Sequence, residues 1–282
     1  MASVCVIMIG DVVGDPGLDV LEKRLPELKA DCGAHLVVVN GENAAGGFGL
    51  TEESLARILL AGADVVTGGN HIWEKREFWP VLESGKPVLR PANYPQDGSP
   101  QGGVSGRGWL VLEKQLDGQN ISFLVINLQG RKRMTAIDCP FRCFDAILAE
   151  TRESGGGGTA APARPLVVVD FHAESTEEKE SLGYYLDGRA ALVAGTHTHV
   201  QTTDERILPN GTAYITDLGM TGALNGVIGM DAGICINRAR SQIAYRMECA
   251  RPESETDCAV QGIIAELDRE SGRALGIRRI RG

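Results

Sequence analysis

Four of the five histidines in this chain stand where an apolar run gives way to a turn: His71 in "TGGNHIW", His172 in "VDFHAE", and His197 and His199 in "GTHTHV". The same kind of boundary carries Asp11 in "IGDVVGDPG", the adjacent Glu42 and Asn43 in "NGENAAGG", and Asn70 directly before His71. Imidazole nitrogen, carboxylate oxygen and amide oxygen together suit iron, manganese or zinc, and a carboxylate lying between two such ions can bridge them. The number of donors fits two ions better than one.

Each residue also has a role without a metal. Asp11 could close a turn before a helix, Asn70 could cap one, and His71 could be a satisfied core histidine. His172 and Glu174 could form a surface pair. His197 and His199, two positions apart, point to the same side of an extended segment, where they face either a shared ligand or solvent. Glu42 and Asn43 are adjacent and would face opposite ways in a regular strand. Joint binding therefore requires the backbone to bend there, and the glycines of "GENAAGGFG" permit it. A glycine-rich phosphate loop is the rival for this stretch and for "GDVVGDPG", but neither has a Walker Lys-Ser/Thr or the spacing of a dinucleotide fingerprint.

The elements that must position these residues are legible as apolar β-branched runs alternating with helical patterns, the signature of layered α/β structure. Strands are expected at residues 4–10, 35–43, 64–71, 121–130, 165–174 and 191–199, and helices at 18–31, 51–61, 138–153 and 175–186. Thr51 and Ser175 are read as N-caps with acidic first turns behind them. Carboxyl-terminal ends of parallel strands gather at one edge of a sheet, so residues distant in sequence can meet there. "ESGGGGTAAPARP", residues 153–165, reads as a flexible connection. Beyond His199, "GICINRARSQIAYRMECA" and "AVQGIIAELDRESGRALGIRRIRG" read as antiparallel hairpins completing a second sheet. No repeat or domain boundary is visible, and residues 1–282 are taken as one domain.

Composition narrows the classes. At 282 residues with 43% hydrophobic and 23% charged content, the chain can bury a substantial core. No apolar run approaches the roughly 20 residues of a membrane span. The first apolar run lacks a basic flank, so a cytoplasmic enzyme is expected. Seven cysteines, an odd number without a CxxC, predict free thiols. A net charge of -9 argues against a broad electrostatic grip on nucleic acid, so any phosphate ligand needs a focused site.

Taken in order, "GDVVGDPG", "NGENAAGG", "TGGNHIW", "NLQGR", "DFHAE" and "GTHTHVQT" resemble the calcineurin-like metallophosphoesterase superfamily, and within it the bacterial YmdB-like phosphodiesterases. The resemblance runs from about residue 4 to residue 222. It implies a four-layer α/β sandwich, two mixed β-sheets flanked by helices, with a dinuclear metal centre at the strand ends. One ion would be held by Asp11, Asn43 and His199, the other by Asn70, His172 and His197, with Glu42 bridging and His71 free as proton donor. Two departures from the superfamily stand out. Its usual Asp-x-His is here Asp11-Val12-Val13, with Asn43 replacing the histidine, and its bridging Asp is here Glu42.

Iron is the expected metal, with manganese and zinc as alternatives. The implied reaction is hydrolysis of a nucleotide phosphodiester, best a 2',3'-cyclic nucleotide, by a metal-bridging hydroxide with His71 as general acid. RNA ends are a further expected substrate, and a homo-oligomer is the expected assembly. Arg131 could match phosphate oxygens or lie in an exposed basic turn, and it stays outside the catalytic set. Two alternatives remain. One is a phosphomonoesterase or nuclease on the same site, and the other is a nucleotide-binding regulatory protein with little turnover.

Overall fold

The computed structural model describes residues 3–95, 104–154 and 164–282. Most of the glycine-rich connection at 153–165 lies outside these residues. The first sheet is built on β1 (Ser3–Ile9), β3 (Leu36–Asn40) and β4 (Val65–Thr67), which run parallel. It is extended on the far side of β1 by the antiparallel hairpin of β13 (Gln261–Asp268) and β14 (Ala274–Arg281). The second sheet has a parallel centre of β6 (Gln119–Gln129), β7 (Leu166–His172), β8 (Leu192–Thr196) and β10 (Ala213–Ile215). Antiparallel edges close it, β5 (Trp109–Leu116) beside β6 and β9 (Arg206–Ile207) beside β10. A small third sheet joins β2 (Asp11–Val12), β11 (Met220–Ala223) and β12 (Cys258–Ala259).

Alternation along single strands shows how the layers stack, because successive side chains in a strand point to opposite faces. In β1, Val4, Val6 and Met8 enter a core shared with Phe123, Val125, Val168 and Leu192 of the second sheet. The intervening Cys5, Ile7 and Ile9 pack instead with Leu18, Leu21 and Leu25 of α1 (Gly14–Cys32) and Leu55 and Ile58 of α2 (Glu52–Leu60). On the outer face of the second sheet, Leu124, Ile126, Val167 and Val169 meet Phe144 and Leu148 of α4 (Pro140–Ser154) and Leu182 and Leu186 of α5 (Thr176–Leu186). The order is helix, sheet, sheet, helix, the expected four-layer sandwich of two mixed sheets. Each fully buried aliphatic side chain in these cores contributes about 1.5–3 kcal/mol.

Local chemistry sets the helix starts. Thr51 accepts from Ser54 N at 3.2 Å and Ser175 from Glu178 N at 3.4 Å, so both expected caps are made. Helix α1 begins at Gly14, earlier than expected, because Pro16 sits in the first turn, where a missing N–H has no intrahelical partner to lose. A short α3 (Trp79–Leu82) follows β4.

The chain after His199 departs from expectation in two ways. Residues "AGICINRARS" form a helix, α6 (Ala232–Ser241), capped by Asp231 accepting from Ile234 N at 2.8 Å. None of its residues is buried. The C-terminal hairpin does form, but it joins the sheet of β1 rather than completing a second one. Among the described residues, no helix is long and apolar enough to cross a membrane.

Candidate metal centre

The parallel strands of both sheets end at one place. Asn40 pairs with Thr67 at the ends of β3 and β4, and Gln129, His172 and Thr196 align across β6, β7 and β8. Asp170, 1% exposed, ties the two rows together. Its Oδ2 accepts from Asn40 Nδ2 at 3.0 Å and from Thr67 Oγ1, and its Oδ1 from Thr196 Oγ1 at 2.7 Å. Because the Thr196 hydroxyl donates to Asp170, its oxygen is left to accept from His172 Nδ1, 2.9 Å away. That places the ring proton on Nδ1 and turns the lone pair of Nε2 toward the strand ends.

Three atoms crowd this Nε2: Glu42 Oε1 at 3.0 Å, Asn70 Oδ1 at 3.1 Å and His197 Nδ1 at 3.0 Å. A ring nitrogen carries at most one hydrogen, which cannot serve three acceptors, whereas a cation can be shared by four donors. Glu42, His172 and His197 each offer a ligand atom within 4.8 Å of the others.

A second group adjoins the first through the same carboxylate. Asn43 Nδ2 lies 3.3 Å from Glu42 Oε1 and 3.2 Å from His199 Nε2, and Asp11 Oδ1 lies 3.9 Å from His199 Nε2. His199 Nδ1 donates to Ile228 O at 2.9 Å, leaving Nε2 as a donor to a metal. Asp11 Oδ1 is buried without a hydrogen-bond partner, an expensive arrangement unless a cation takes it. A half-turn of the Asn43 amide sets its oxygen where its nitrogen stands. The residues present therefore fit a metal ion at Glu42, His172 and His197, with Asp11, Asn43 and His199 standing beside them.

The charges point the same way. Burial disfavours ionisation of Asp11 and pushes its carboxyl up to about 6, against the pull of His199 and His172. Burial also opposes the charge on Glu42, but His172 and the His71 N–H outweigh it and hold the carboxyl below its usual range. The same carboxylates overcome burial at His172 and raise it to about 9. His197 is driven down to about 3 by burial and by the charge on His172. Buried carboxylates this close together favour a positive charge between them, which a metal cation supplies.

The backbone is shaped to bring these donors together. Glu42 and Asn43 lie just past β3, where Glu42 N donates to Asn40 Oδ1 at 3.2 Å, so the chain has left the extended form. Gly69 passes against the donors: a Cβ there would fall 2.3 Å from His172 Nε2 and 2.4 Å from Glu42 Oε2. His197 and His199 do not converge by strand alternation, as their spacing suggested. β8 ends at Thr196, and the two histidines have φ of +101° and +64°. This left-handed backbone, uncommon outside glycine and costing about 1–2 kcal/mol per residue, sends one ring to His172 and the other to Asn43. His197 Nε2 also faces Glu174 Oε2 at 3.4 Å.

His71 stands at the rim. Its N–H donates to Glu42 Oε2 at 3.0 Å, and its Nδ1 meets Glu74 Oε1 at 3.2 Å. Its ring lies edge-on to Phe48, with centroids 5.1 Å apart. His172 is fully buried, so it is not part of a surface pair with Glu174. Arg131 is exposed, its guanidinium 3.6 Å from Cys139 Sγ. Asn40, Thr67, Asp170 and Thr196, which orient His172, were not singled out from the sequence. The available signal was a polar residue two positions before His172 or at a strand end, in an otherwise apolar run.

A family model described as YmdB-like protein matches residues 7–280. The 2',3'-cyclic-nucleotide 2'-phosphodiesterase of Bacillus subtilis (strain 168) is 42% identical over 275 residues, covering 98% of this chain and 96% of that protein. A crystal structure of a phosphatase from Mycoplasma pneumoniae superposes with a TM-score of 0.86 at 29% identity, covering 100% of this chain and 94% of the other. A hypothetical protein from Thermus thermophilus superposes with a TM-score of 0.82 at 37% identity, covering 99% of this chain and 98% of the other.

Proposed function

The chain belongs to the YmdB-like family, and on that premise we propose that it is a metal-dependent phosphodiesterase whose preferred substrates are 2',3'-cyclic nucleotides. The observation that carries the metal dependence is the crowding of Glu42, Asn70 and His197 around His172 Nε2, which one hydrogen cannot satisfy. The substrate class is supported by the 42% identity to a 2',3'-cyclic-nucleotide phosphodiesterase.

Asn70, His172 and His197 would hold one ion and Asp11, Asn43 and His199 the other, with Glu42 common to both. Bound there, two cations would supply Lewis-acid polarisation of the phosphate oxygens and a lowered pKa for water. The chain supplies the rest. His71 is tied by its backbone N–H to Glu42 and by Nδ1–H to the Glu74 carboxylate, so in the imidazolium form its Nε2–H would deliver the proton to the oxygen that departs from phosphorus, leaving the neutral ring. Phe48 limits the swing of that ring from one side. Asp170 and Thr196 keep the proton of His172 on Nδ1.

The test is metal analysis of protein purified without added metal, together with hydrolysis of 2',3'-cyclic nucleotides, linear dinucleotides and phosphomonoesters. About two ions per chain and fastest turnover of the cyclic phosphodiester are expected. Full turnover by metal-stripped protein in chelator refutes the metal dependence. Fastest turnover of a monoester refutes the substrate class.

A further inference from the structure

We propose that the buried ion pair between Lys179 and Asp217 is a positioning device for the metal centre, holding His197 and His199, through Thr198, in the backbone conformation that presents their rings to two ion positions. The inference rests on the metal-dependent reading above. Lys179 of α5 and Asp217, in the turn between β10 and β11, are 2% and 1% exposed in their side chains and meet at 2.7 Å. Two opposite charges removed from water persist only where close geometry and further hydrogen bonds compensate, so what else the pair holds is informative.

Asp217 holds the histidine segment. Its Oδ2 accepts from Thr198 N at 3.2 Å and from Thr198 Oγ1 at 2.8 Å, besides Lys179. Its Oδ1 accepts from Gly219 N at 2.8 Å, and its own N–H donates to Thr202 Oγ1 at 2.9 Å. Thr198 is the single residue between two histidines that both have positive φ. A segment with two such excursions relaxes toward ordinary extended or helical backbone unless its surroundings over-determine it. The two bonds from Asp217 fix the middle residue, and Lys179 fixes Asp217. Neither member of the pair is among the proposed ligands, so it acts through the position of His197 and His199.

The test titrates manganese into the metal-stripped full chain by calorimetry and follows thermal unfolding of the stripped chain in parallel. Thr198→Val removes the hydroxyl while leaving a partly exposed site of similar size. It should weaken manganese binding by about 10–100-fold, the range for lost outer-shell support of a metal ligand, with little change in the melting temperature. Thr198→Ser should restore binding. The double variant Lys179→Met/Asp217→Leu removes both buried charges together and should weaken binding similarly. Adding Thr198→Val to it should have little further effect, since all three act as one unit.

Wild-type affinity in Thr198→Val and in the double variant, with manganese still bound by the parent, overturns the positioning role and leaves the metal centre standing. So does an affinity loss no larger than the fall in apo stability accounts for. A parent chain that takes up no manganese, iron or zinc instead refutes the metal-dependent reading.

Discussion

Gly69→Ala offers a direct measure of how tightly the donor atoms are set. Its backbone φ is not in the left-handed region, so alanine can adopt the same conformation, and the effect comes from the added methyl alone. That methyl would lie 2.3 Å from both Cδ2 and Nε2 of His172 and 2.4 Å from Glu42 Oε2, where ordinary contact begins at 3.4 Å. His172 or the Gly69 segment must yield by roughly 1 Å, several times the ~0.2 Å tolerance of metal–ligand distances. Metal content should fall well below that of the parent, and turnover of a 2',3'-cyclic nucleotide should drop at least ~100-fold, the scale of a 1 Å misplacement. Overpacking costs typically ~1–3 kcal/mol, so the chain should remain folded with a modestly lowered melting temperature. Gly68→Ala is the matched control, because the three atoms nearest its methyl all belong to the Ile72 side chain, at 2.8–3.0 Å, and none to the donor set. It should keep its metals. The assays are elemental analysis, cyclic-nucleotide hydrolysis and a circular-dichroism melt. Parental metal content and rate in Gly69→Ala would refute the close convergence of donors at His172 Nε2.

Glu42→Ala should deplete both ions together, because Glu42 Oε1 lies within 3.3 Å of donors in both groups; one ion retained at full occupancy would remove its bridging role. His71→Ala should keep its metals and lose about 10²–10⁴-fold in turnover of the cyclic nucleotide, whose alkoxide needs a proton. It should lose far less on a nitrophenyl phosphodiester, and equal losses on both substrates would take the proton-donor role away. Single alanine substitutions of His197 and His199 should each lower metal content while the melt stays cooperative, and unchanged metal content in both would place the pair outside the centre.

What the sequence alone determined was the class of structure and the set of chemically capable residues. Apolar β-branched runs place β1, β3, β6, β7 and β8 within a few residues of their positions, since a strand buried on both faces has no other composition. The polar residues that interrupt those runs at their ends had to be paired or liganded, which is why Asp11, Glu42, Asn43, His172, His197 and His199 could be singled out. Local patterns end there.

Only the tertiary structure decided how these residues meet. The spacing of His197 and His199 suggested a shared side of a strand, whereas positive φ at both, with Asp217 gripping Thr198 between them, directs the rings apart to different partners. Residues 232–241, read as part of a hairpin, form instead a helix capped by Asp231 with no buried residue. Asp170 looked like one more strand residue, yet it joins Asn40 and Thr67 of one sheet to Thr196 of the other and sets the tautomer of His172. The bonds from Asp170 to the other sheet span 103 and 130 positions of chain. Hydrogen bonds and ion contacts depend on distance in space, and a linear pattern carries that only after the sheets have stacked.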